Sequence, residues 1–180
     1  MRKINMFLVI GMLLTFIAHA VMGAFKLFGT NADALKPAAW ICFCFIFAHV
    51  IVTSVLTYQS LYARKKSGAG YFKENKLFWA RRISGFAILI PLIMHLMIFK
   101  GTERNGSFRL VEFSPVLLVS QLLLVLTIAF HVITNIEPAM TAFGIKRPKL
   151  WSHDTIFVIS VILLLAACAF AFYYLRWIAS

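Results

Sequence analysis

Residues 78–99 read FWARRISGFAILIPLIMHLMIF. Two arginines, Arg81 and Arg82, open the stretch, and an apolar run follows that Pro91 and His95 interrupt in its second half. A run of this length and composition is a membrane-spanning helix, because a hydrocarbon core of about 30 Å needs about 20 helical residues. Four more such runs occur, so the spans are expected near 4–25, 38–62, 80–99, 114–136 and 154–176. They use up most of the 180 residues, so a single integral membrane domain over 1–180 is expected, with little chain left over for a soluble one. The expected fold is an all-α transmembrane bundle of five helices.

Composition agrees with the runs. The chain is 62% hydrophobic and 13% charged, with a mean hydropathy of +0.88, whereas soluble domains carry roughly 25% charged residues. The first run is a full span leading into a short loop and a second span, so it reads as a helix rather than a cleavable leader.

Lysine and arginine set the orientation. The N-terminal tail, the 64–82 segment and the 137–150 loop hold 12 of the 18 basic residues. The side bearing them is expected to be cytoplasmic, with the N-terminus inside and the C-terminus outside. Trp40, Trp79, Trp151 and Trp177 all fall at run ends, as an interfacial belt requires. The net charge of +12 therefore follows from topology and does not call for nucleic acid. Anionic headgroups or an acidic docking surface suit that face better. Cys42, Cys44 and Cys168 form no CxxC motif and read as small apolar core residues.

Between the spans, 64–77 reads as a polar loop, and Pro115 as the first residue of a helix. Pro138, Gly144 and Pro148 mark 137–150 as a turn rather than continued helix. Pro91 is expected to bend its helix four residues before His95.

Four of the five histidines, His19, His49, His95 and His131, lie inside the first four spans, one per helix. No Asp, Glu, Lys or Arg interrupts the middle of any span. Ionisable groups at membrane depth are costly, face the bundle interior and mark function. At 1.5 Å per residue, His19 lies about 20 Å from the start of its run and His95 about 18 Å beyond Ile83, both in the outer half. His49 and His131 fall in the inner half, so the natural pairs are His19 with His95 and His49 with His131. Two neutral imidazoles on facing helices form an axial ligand set for haem iron. With both axial positions filled, the iron changes oxidation state and binds no substrate, so two such haems would carry electrons across the bilayer. Zinc would need about four ligands at one depth, and a proton relay would be expected to include carboxylates. Hydrogen-bonded histidines acting only as glue between helices are the remaining alternative.

Neighbouring residues fit close helix approach. Thr53, Thr57 and Ser60 follow His49 at helical spacing; Thr127, Thr134 and Asn135 flank His131; Thr15 and Gly23 flank His19. Such side chains are expected to orient imidazole N–H groups. The fifth span, with His153 at its end, reads as scaffold.

One histidine in each of the first four spans, Arg82-Ile83-Ser84-Gly85 ten residues before His95, and AFHVITN around His131 together resemble a known family. It is the cytochrome b membrane anchor of succinate dehydrogenases and fumarate reductases, in its single-subunit, five-helix, two-haem form. The resemblance implies two haem b groups, the distal one held by His19 and His95 and the proximal one by His49 and His131. It implies that Arg82 and Ser84 contact a haem propionate or a quinone head. It further implies an iron–sulfur subunit on the cytoplasmic face, a flavoprotein beyond it, menaquinone as the membrane substrate, and a bacterial cytoplasmic membrane as the location. A subunit of this kind transfers electrons and reacts with quinone but has no succinate or fumarate chemistry of its own. The embedded glutamate that some members use for proton transfer is not visible here. Two other readings remain: a cytochrome b subunit of another quinone-linked oxidoreductase, of hydrogenase or formate dehydrogenase type, or a haem-free membrane protein with structural histidines.

Overall fold

A computed structural model describes residues 2–30, 35–67, 76–98, 101–104, 107–110 and 113–179. Its helices are α1 (Arg2–Phe28), α2 (Leu35–Ser67), α3 (Lys76–Ile98), α4 (Pro115–Ala142) and α5 (Pro148–Ala179). All five are long and apolar enough to cross a membrane. With no water in a hydrocarbon core to satisfy backbone groups, such runs must close their hydrogen bonds within one helix. Large apolar side chains such as Phe7, Leu14, Ile90, Leu126 and Phe157 point outward on every element, as a lipid-facing surface requires.

The bundle has two parts. Helix α1 packs along α2, and α4 packs against both α3 and α5; contact between α1 and α5 joins the parts. Among the described residues, helices α2 and α3 by contrast make few close backbone contacts. An open cleft of about 330 Å³ lies at their junction, lined by Leu56, Gln59 and Ser60 of α2 and Arg82 of α3.

The helices outrun the expected spans. Helix α2 continues to Ser67 and α3 begins at Lys76, so both ends of the expected 64–77 loop are helical, and 68–75 lie outside the described residues. The larger correction concerns Pro138. Rather than opening a turn, it lies inside α4, which runs on to Ala142. An interior proline removes one i→i−4 hydrogen bond, here the one the Thr134 carbonyl would accept. Arg81 of α3 fills that gap: its Nε–H donates to the Thr134 carbonyl at 2.9 Å. The true stop comes at Gly144, whose φ of +74° only glycine adopts freely. Its N–H bonds the Thr141 carbonyl, and the Ile145 N–H reaches back to Met140, closing a Schellman cap. Pro91 likewise lies inside an unbroken α3. Pro115 opens α4 after Ser114, as expected.

A second departure adds to the all-helical expectation. Between α3 and α4, strand β1 (Gly101–Arg104) pairs antiparallel with β2 (Ser107–Leu110). Leu110 and Phe113, both almost fully buried, seat this end on the bundle with Ala24, Leu27, Ile98, Ala169, Phe170 and Tyr173. The Leu110 N–H donates to the Tyr173 hydroxyl at 2.8 Å. Of the cysteines only Cys42 is buried; Cys44 and Cys168 face outward, which an apolar thiol tolerates in lipid.

Candidate functional site

Helices α1 and α3 bring His19 and His95 together. Their ring centroids are 5.9 Å apart and their planes 82° to one another. Two imidazoles on opposite sides of one metal, at metal–nitrogen distances of about 2 Å, have ring centres about 6 Å apart. The pair therefore meets the spacing of an axial ligand set.

The His95 ring is held from α4. Its Nδ1–H donates to Oε1 of Gln121 at 2.7 Å. Gln121 is completely buried, and its Nε2–H bonds Ser120 Oγ at 3.0 Å. That hydroxyl in turn donates to the Leu117 carbonyl. An amide oxygen can only accept, so the proton is fixed on Nδ1 and Nε2 of His95 carries the lone pair, the tautomer that ligates a metal through Nε2.

The same device recurs at the other depth with other residues. Ser84 Oγ donates to the Arg81 carbonyl at 3.1 Å and so accepts from Nδ1–H of His131 at 2.9 Å. Asn135 directs its Nδ2–H groups at the His131 carbonyl (2.7 Å) and Thr134 Oγ1 (3.2 Å). Its 3.4 Å approach to Nδ1 is too long to compete. Gly85 completes the seat: a Cβ there would lie 3.2 Å from Cε1 of His131. His49 and Arg82 both lie within electrostatic reach of His131. Arg82 also stacks over the Phe78 ring at 5.1 Å and lines the cleft.

On α3, Ser84 and His95 are eleven residues apart, about 16 Å along the helix. The four imidazoles thus form two pairs at two levels, and among the described residues no three His, Cys, Asp or Glu side chains converge on one point. His19 and His49 differ from their partners: among the described residues, Nδ1 of each is buried with no hydrogen-bond partner. A buried imidazole nitrogen lacking a partner is costly. The residues present give His19 and His95 the ring spacing of two ligands on one metal; His49 and His131 lie within electrostatic reach of one another.

Most hydroxyls expected to orient the imidazoles do something else. Thr15, Thr53, Thr57, Ser60, Thr127 and Thr134 donate to carbonyls three or four residues back on their own helices. Orientation comes instead from Ser84 and Gln121, each on the neighbouring helix. Gln121 escaped the sequence reading because it carries no charge, although a glutamine in mid-span is itself a signal of a buried polar contact.

Comparison with known protein families, with curated proteins and with solved structures finds no match to this chain.

Proposed function

We propose that the protein is a two-haem cytochrome b membrane anchor that passes electrons between a soluble electron-transfer partner and a membrane quinone. The observation that carries this reading is the pairing of four intramembrane histidines at two depths. In one pair the rings stand 5.9 Å apart, and in each pair one imidazole has its proton fixed on Nδ1 by a neighbouring helix.

A haem held between such a pair would supply reversible one-electron chemistry. The chain's own work is to hold the rings. Gln121 and Ser84 set the tautomers of His95 and His131 and raise their basicity as ligands. The apolar bundle excludes water from both levels. Arg82, at the mouth of the α2–α3 cleft, offers a cation to a haem propionate or a quinone head.

The sequence resemblance narrows the complex. The basic side would be cytoplasmic, in a bacterial cytoplasmic membrane, and would dock an iron–sulfur subunit carrying the flavoprotein of a succinate dehydrogenase or fumarate reductase, with menaquinone as the membrane substrate.

A reduced-minus-oxidised optical spectrum with a pyridine haemochrome count tests the reading. Two haems b per chain are expected. A colourless protein overturns it. Co-purification with a hydrogenase or formate dehydrogenase subunit would keep the haems and replace the partner.

A further inference from the structure

The two adjacent arginines of the opening stretch part company in the fold. Arg82 faces α2 and the cleft, while Arg81 turns to α4, where its Nε–H reaches the Thr134 carbonyl at 2.9 Å. That carbonyl is special on α4. Its regular donor would be the N–H of residue 138, and residue 138 is proline. The arginine thus replaces, from another helix, a hydrogen bond that the sequence has removed.

The location of this contact gives it a consequence. Thr134 is one turn beyond His131, and the Thr134 and Asn135 side chains both donate to the His131 carbonyl. Three residues along α3 from Arg81, Ser84 accepts the His131 Nδ1–H and donates to the carbonyl of Arg81 itself. One turn of α3 therefore grips one turn of α4 at two points, the backbone at Thr134 and the ring at His131.

We infer that Arg81 is a positioning residue for His131, standing in for the backbone donor lost at Pro138 and so fixing the α4 turn from which the imidazole projects. The inference rests on the haem reading for its function, but the clamp itself does not. Nothing in positive-inside topology requires it, because topology would be satisfied by a lysine or by an arginine pointing to water.

The test is a suppressor experiment on the complex as isolated from membranes. Redox titrations of the haems would compare the native protein with R81M, P138A and the R81M/P138A double variant. R81M should shift the midpoint potential of one haem and leave the other in place. P138A, which restores an N–H to the Thr134 carbonyl, should be silent alone and should return the shifted midpoint to its native value in the double variant. R81M that accumulates poorly and is rescued by P138A supports the same conclusion. Two unmoved midpoints in R81M, a double variant as shifted as R81M, or a double variant that fails to accumulate would overturn it.

If the native protein holds no haem, the haem reading falls by itself. The clamp is then decided by amide hydrogen exchange over residues 130–142, faster in R81M and slowed again in the double variant. Equal exchange in all four proteins would dispose of the clamp.

Discussion

The histidines of α3 and α4 and those of α1 and α2 are equal in number and in apolar surroundings, yet the chain treats them differently. His95 and His131 each have Nδ1 bonded across helices, to Gln121 and to Ser84. Among the described residues, Nδ1 of His19 and of His49 is buried with no hydrogen-bond partner. On the proposed haem reading, half of each pair is thus built in advance and half depends on what it meets. Preorganising one ligand sets the tautomer and the plane, and leaving the other without a fixed partner lets it settle on a metal whose position is already defined.

The harshest way to break this comparison is to remove the rings. H95A or H19A should each reduce two haems b per chain to one, and H49A or H131A should remove the other; a haemochrome count decides. Should H19A and H95A remove different haems, the pairing by depth is wrong.

Next come the orienting residues. Q121L and S84A should retain both haems but raise the midpoint potential of one each, because an imidazole deprived of its Nδ1–H acceptor is a weaker donor to ferric iron. Affinity for the affected haem should fall about 10- to 100-fold, the usual cost of losing such a partner. Q121E should move the same haem as Q121L in the opposite direction. Were Q121L and S84A to act on the same haem, the two levels would not be independent.

A smaller effect is expected from G85A. The added methyl would sit 3.2 Å from His131 Cε1, so the ring must give by a few tenths of an ångström. The low-temperature electron paramagnetic resonance signal of that haem should shift while its stoichiometry stays unchanged. Smallest of all is T53V. Thr53 donates to its own helix at the His49 carbonyl and touches no ring nitrogen, so neither spectrum nor potential should change.

Much of this was legible in the sequence, for a physical reason. A span announces itself through its own length and apolarity, and an intramembrane histidine through the cost of putting it there. Depth followed from counting residues, and it placed His19 near His95. What sequence left open was which side chain on another helix meets each ring. Thr53 and Thr134 stand at helical spacing from histidines, but spacing within a helix cannot show that their hydroxyls turn back to their own carbonyls. Pro138 looked like a terminator because the donor that compensates for it, Arg81, is far away in sequence. The paired strands had a local signal in the sequence as well: Asn-Gly at 105–106 is the dipeptide most favoured in two-residue loops.

The two-part packing has a consequence for how such a chain is made. Helices α1 and α2 leave the ribosome first and can pack on one another at once, yet they contain only one member of each histidine pair. Every pair is completed by a residue of α3 or α4, and the contact that joins the parts waits for α5. An iron-bearing group gripped from both parts would therefore report that α4 has been made. A product that stopped after α2 could insert, but it could not acquire colour.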